Sequence, residues 1–243
     1  MSFIPLLALL VLSFSAHAER LPRPDHVVVV IEENRGYKQI MNQSKRDSYI
    51  HALAKRGMLF TRSYGVTHPS QPNYLALFSG STQGVISNSC PHTFDSDNLA
   101  TALLDKGLSF VSYSESLPVA GDTRCTSGAY QRKHNPLVNW QGTRLPASLN
   151  MGFDAADAWL RTHINPYVEW AFKHNSLLIL TWDEDNYRED NHIVTLLLGP
   201  MVKTGISDQP INHYNLLRTL LDFYDLPALG ASSDAETIMG IWK

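Results

Sequence analysis

His26-Val-Val-Val-Val-Ile-Glu32 is the stretch that decides the fold. Consecutive β-branched residues are stiff at χ1 and suit a pleated backbone, and this run leaves no polar side chain for a solvent face. It therefore reads as a strand buried on both sides, as in a parallel sheet covered by helices. Leu177-Leu-Ile-Leu-Thr-Trp182 and Ile193-Val-Thr-Leu-Leu-Leu198, the latter ended by Gly199-Pro200, have the same character. Met58 to Tyr64 and Leu108 to Tyr113 read as further strands. Helical spacing lies between them. Ser48 to Arg56 carries Ile50, Leu53 and Ala54 on one face and stops at Gly57, and a helix opened by Pro72 runs through Leu75, Leu77 and Phe78 to Gly80. Further helices are expected over Asn98 to Lys106, over Asp154 to His174 with a break or kink at Pro166, and over Asn212 to Phe223. Residues 115–152 read as loop. Strands alternating with helices predict an α/β fold, a largely parallel central sheet with helices on both faces.

The chain has 243 residues, 44% hydrophobic and 18% charged, with 20 Lys and Arg against 23 Asp and Glu. That composition excludes a disordered chain, and the formal charge of −3 argues against a protein that coats nucleic acid. Met1 to Ala18 is a short apolar run ending Ala16-His17-Ala18, which reads as a cleaved export signal; an uncleaved anchor is the alternative. Residues 19–243 then form a single domain with no membrane span, periplasmic or secreted. In an oxidising compartment Cys90 and Cys125 are expected to pair rather than bind metal.

Ligands of such sheets sit beyond the carboxyl ends of the strands. There the sequence places Glu32, Glu33 and Asn34; then Thr67-His68-Pro69-Ser70-Gln71-Pro72-Asn73-Tyr74; then Ser114-Glu115; and then Asp183-Glu184-Asp185. Acidic clusters converging on one sheet edge repel unless something positive lies between them. With Arg and Lys scarce in these clusters, a divalent cation is the natural counterion, and oxygen donors such as Glu33, Asn34 and Asp183 suit a hard metal. Ser70, just before a helix that opens with proline, is placed to act as a nucleophile or simply to cap that helix. No serine has the Gly-x-Ser-x-Gly setting of a nucleophile elbow, which weakens a Ser-His-Asp hydrolase. Ten histidines are a further hint of proton transfer or metal ligation, although His51, His163 and His174 read as surface residues.

Glu33-Asn34-Arg35, His68-Pro-Ser-Gln-Pro-Asn-Tyr74, Lys133-His-Asn-Pro136, Thr181-Trp-Asp-Glu-Asp185 and His192 occur in that order. This series resembles the phosphoesterase family of bacterial and fungal acid phosphatases and phospholipases C, within the alkaline-phosphatase-like superfamily. The resemblance implies that Ser70 attacks phosphorus and forms a phosphoserine. It implies a divalent metal held by Glu33, Asn34, Ser70, Asp183 and Glu184, with Asn34 also contacting a phosphoryl oxygen. His213 would bind phosphate or protonate the leaving group, with His134 as a second candidate. The substrate would be a small phosphorylated molecule, a phosphomonoester first. A phosphodiesterase or phospholipase C is the alternative, and a non-catalytic phosphate- or metal-binding remnant another.

One departure from the family pattern stands out. Relatives carry a buried strand and a loop with a histidine and carboxylates before the helix that here contains Ala155-Ala-Asp-Ala-Trp-Leu160. In this chain Phe153 runs straight into Asp154. The resemblance therefore implies a sheet lacking one core strand, a fold that survives in altered form, and impaired activity.

Overall fold

A computed structural model describes residues 20–42, 44, 48–153 and 160–243; the leader-like segment, the junction after Phe153 and the start of the helix expected there lie outside them. Along the chain stand β1 (His26–Glu32), α1 (Tyr37–Ile40), α2 (Tyr49–Ala54), β2 (Met58–Tyr64), α3 (Ser70–Ser79) and α4 (Leu99–Asp105). Next come β3 (Ser112–Glu115), β4 (Thr126–Ser127), β5 (Tyr130–Gln131), β6 (Asn150–Phe153) and α5 (Asn165–Ala171). The chain continues through β7 (Ser176–Trp182), β8 (His192–Leu198), β9 (Gly205–Ser207), β10 (Ile211–Asn212) and α6 (His213–Asp222).

The main sheet has the order β1-β7-β8-β2-β10, with β9 also paired to β2. β1 runs parallel to β7, and β9 and β10 run parallel to β2. Only β8 runs against its neighbours, antiparallel to both β7 and β2. The sheet is thus largely parallel as expected, but mixed. The reversal has a simple cause: residues 183–191 are too short a connection for the crossover that parallel strands require.

Alternation along the strands sorts two cores. Leu177, Ile179, Phe60 and Leu197 pack with α3 and α6, whereas Leu178, Leu180, Leu59 and Leu196 pack with α2 and α5. Helices cover both faces, which is why every residue of β7 is buried. All ten residues of α3 are buried as well, so this helix lies in the interior rather than on it. It ends at Gly80, whose φ of 71° is the left-handed cap expected of a glycine stop.

Four expectations need correction. The strand expected at Leu108–Tyr113 begins only at Ser112, where β6 is available; β3 and β6 form a separate two-stranded parallel sheet. Ser70, not Pro72, is the first residue of α3, and Pro69 holds the cap position without a side-chain cap bond. His51 is not a surface residue: it is buried on α2, with Nδ1 2.9 Å from the Ser48 hydroxyl. Pro166 falls in the first turn of α5, just after a π-type turn at Leu160–Ile164, so the break is displaced upstream. Cys90 and Cys125 are disulfide-bonded, as expected of an oxidising compartment. Among the described residues no helix is long and apolar enough to cross a membrane.

Candidate active site

Ser70 enters the site because α3 begins at it. At the first helical position its hydroxyl is not spent on capping, and it sits at the positive end of a ten-residue helix. The side chain is 1% exposed. Its Oγ lies 2.7 Å from Glu184 Oε1 and 3.0 Å from Glu33 Oε1, so one proton is shared between two carboxylates from different strand ends. The turn before it is held by Asn73, whose Oδ1 accepts from the amides of Val66 and Thr67 and whose Nδ2 donates to the carbonyls of Thr67 and Pro69.

Glu33 follows β1, and its Oε1 is a hub. Besides Ser70 it meets Lys133 Nζ at 2.5 Å and His134 Nε2 at 2.6 Å. Burial alone would raise the Glu33 carboxyl. The His134 and Lys133 contacts outweigh that and hold it at about 2. Lys133 Nζ is also 3.5 Å from Ser70 Oγ, which places a cation beside the hydroxyl.

Asp183 and Glu184 follow β7, and both are buried at 1% exposure. Asp183 Oδ1 accepts from the amides of Asn34 at 3.0 Å and Glu184 at 2.7 Å. Burial pushes its carboxyl up to about 7, with the Glu184 and Glu33 charges adding and the two amides opposing. Asn34 reaches Asp183 through its backbone, from a left-handed conformation with φ of 56° that asparagine tolerates. Glu184 Oε2 is hydrogen-bonded to His68 Nδ1, and His68 Nε2 lies 3.2 Å from Asp185 Oδ1. Asp185 in turn accepts from the amides of Tyr187, Arg188 and Glu189, which locks the reversing loop.

The expected residues Glu33, Ser70, Asp183, Glu184 and His134 therefore converge, and Asn34 supports them through its amide. His213 stands at the start of α6, 1% exposed, with Nε2 donating to the Asp183 carbonyl at 2.7 Å. A carbonyl only accepts, so the ring proton is on Nε2. Burial lowers its pKa to about 4, so the ring is neutral above that pH. His192 lies outside this group. It stacks on Tyr37 and bonds the Thr61 carbonyl.

Two residues went unassigned in the sequence, Lys133 and His68. Each stands within two positions of an assigned residue, and that adjacency to His134 and Ser70 was the available signal.

Among the described residues no group of three or more His, Cys, Asp or Glu side chains is arranged around a common metal position. Lys133, His134 and His68 instead answer the carboxylates. The donor set still fits a hard cation, because Asp183 Oδ2 is buried without a hydrogen-bond partner beside two further carboxylates.

Residues 39–150 match the model of the Phosphoesterase family. The chain is similar to a phosphatidylinositol-3-phosphatase of Mycobacterium tuberculosis, 37% identical over 257 residues, covering 93% of this chain and 85% of that protein. An acid phosphatase of Aspergillus fumigatus is 30% identical across 80% of this chain, which spans only 54% of the fungal protein's length. Among solved structures, a phosphonate monoester hydrolase from Silicibacter pomeroyi aligns with a TM-score of 0.56 and 13% identity, over 88% of this chain and 75% of its own. A protein in the alkaline phosphatase superfamily from Vibrio parahaemolyticus gives 0.52 and 12%, over 89% and 71%. These two establish the alkaline-phosphatase-like fold, and nothing finer.

Proposed function

Because the chain belongs to the phosphoesterase family, hydrolases of phosphoric esters, we propose that it is an acid phosphatase acting on phosphomonoesters with Ser70 as nucleophile. The observation that carries this reading is the Ser70 hydroxyl at the start of α3, held between Glu33 and Glu184 with Lys133 beside it. Ser70 Oγ attacks phosphorus, its proton passes to a neighbouring carboxylate, and the P–O bond to the alcohol breaks to leave a phosphoserine. Water then releases phosphate and restores the hydroxyl. The amide end of α3 and the Lys133 ammonium face the charge that spreads over the phosphoryl oxygens, which is the main work of a protein in this chemistry. His134 shares Glu33 with Ser70 and is assigned the leaving-group proton; His213 keeps the Asp183 backbone in place. Glu33, Asp183, Glu184, Ser70 and Asn34 would hold a divalent metal. Bound there, it would supply Lewis-acid stabilisation of the nucleophile and the phosphoryl group. The disulfide supports a periplasmic or secreted location.

The segment after Phe153 is proposed to be shortened relative to relatives, which would lower turnover. In support, the alignment with the mycobacterial protein, 257 residues, is longer than this chain. The test is hydrolysis of p-nitrophenyl phosphate by the purified protein with added divalent cations, beside Ser70→Ala. Phosphatidylinositol 3-phosphate, named by the mycobacterial relative, is the second monoester to assay. Activity lost in Ser70→Ala supports the reading; full activity in that variant removes Ser70 as nucleophile. No activity in the parent protein under any metal favours a binding remnant.

A further inference from the structure

β1 is an end strand. It pairs with β7 on one side, and among the described residues nothing pairs with it on the other. The contrast with its neighbour is sharp. β7 is buried at every residue, whereas Val27, Val28, Val29 and Ile31 are each only partly buried. Val27, Val29 and Ile31 pack into one core and Val28 into the other, so both faces are covered.

The direction of the unpaired groups follows from the ladder. The Glu32 carbonyl accepts from Asp183 N–H at 3.0 Å, on the β7 side. By alternation the amides and carbonyls of Val27, Val29 and Ile31 point outward. Natural sheets blunt such an edge with charge, proline or a bulge, and this one carries none of them between His26 and Glu32.

We propose that a second copy of this chain covers this edge by antiparallel pairing of β1 with β1 across a twofold axis centred on Val29. That register sets Val27 opposite Ile31, Val29 opposite Val29, and His26 opposite Glu32 at both ends of the ladder. Outward-facing residues then meet outward-facing residues, which yields about six backbone hydrogen bonds. His26 and Glu32 fall at non-hydrogen-bonded positions, where side chains approach more closely, and a donor faces a carboxylate twice. The pairing is isologous. It consumes both open β1 edges at once and stops at the dimer instead of growing into a fibre.

The experiment is sedimentation velocity of the purified protein across a concentration series, combined with hydrogen exchange of the Val27, Val29 and Ile31 amides. A reversible dimer, with those amides protected at high concentration and exchanging at low, is the expected result. His26→Glu places carboxylate against carboxylate at both ends and should raise the dimer dissociation constant about tenfold. Adding Glu32→Lys to it reverses the polarity of both pairs and should restore pairing. This charge-swapped double variant keeps the test sharp, because a damaged fold would not be rescued by a second substitution. A monomer at all concentrations overturns the proposal, whether the β1 amides exchange freely or are protected from within the chain. So does a dimer indifferent to both variants.

Discussion

Replacing His213 by Gln should change how stability depends on pH. His213 is buried and neutral, with its single ring proton given to the Asp183 carbonyl. Its pKa falls from 6.5 to about 4 on folding, because burial penalises the imidazolium. The sign follows from linkage. Below 6.5 the unfolded chain binds a proton that the folded chain refuses until about pH 4. Stability from this group is therefore fully present above the unfolded pKa and drains away as pH falls through that window. At about 1.4 kcal/mol per pH unit, the loss accumulates to about 3 kcal/mol by pH 4. Gln cannot titrate, and its amide can still donate to a carbonyl. Urea unfolding of the parent and His213→Gln should be followed at pH 7.5, 6, 5 and 4.5, all with the same buffer ions. The variant should start about 1–2 kcal/mol less stable at pH 7.5, from imperfect packing and a longer hydrogen bond. The gap should close and then reverse as the pH drops. Parallel stability curves, with a constant offset throughout, would refute the assignment of a neutral buried imidazole.

Three further outcomes test other parts of the molecule. Lys133→Met removes the amine that contacts Glu33 and lies beside the Ser70 hydroxyl, so kcat/KM for p-nitrophenyl phosphate should fall about a hundredfold. Cys90→Ser with Cys125→Ser releases a crosslink spanning 35 residues and should cost about 3–4 kcal/mol, read as a lower urea midpoint. Gly80→Ala puts a Cβ 1.9 Å from the Leu229 carbonyl oxygen at a φ of +71°; a loss above about 2 kcal/mol is expected in the same assay.

Local chemistry explains which features could be read in advance. The β1 and β7 runs announce themselves because strands buried on both faces need apolar residues at every position. The starts of α4 and α6 are visible because Asn98 and Asn212 cap them within three residues. Glu33, Ser70, Asp183 and Glu184 were legible because strand ends collect at one edge of a sheet. What stayed hidden depends on partners far apart in the chain. Lys133 meets Glu33 across 100 residues, and His68 meets Glu184 across 116. The late start of β3 is of the same kind, since its ladder can begin only where β6 arrives. The antiparallel course of β8 was available from loop length alone, but composition concealed it: a β8 buried on both faces looks like a parallel strand.

That reversal also shapes the site. A crossover helix after β7 would carry the chain away from the sheet edge and leave Asp183 and Glu184 on a long connection. The short return to β8 instead keeps them on a loop braced by Asp185, which accepts three amides of that same loop. From the far side His213 holds the Asp183 carbonyl, and from β1 the Asn34 amide holds its carboxylate. The buried carboxylate is thus fixed from three elements, with one oxygen left unpartnered. Such rigidity is costly in a group that repels its neighbours, and on the proposed reading its use is to present charge to a divalent cation without reorganisation. The support comes from β1, the loop after β7 and the start of α6, none of which includes the junction after Phe153. On the proposed reading, a shortened segment there reduces turnover and leaves Ser70 and its carboxylates in place, and the measurement that separates the two effects is phosphoserine formation at Ser70 against steady-state release of phosphate.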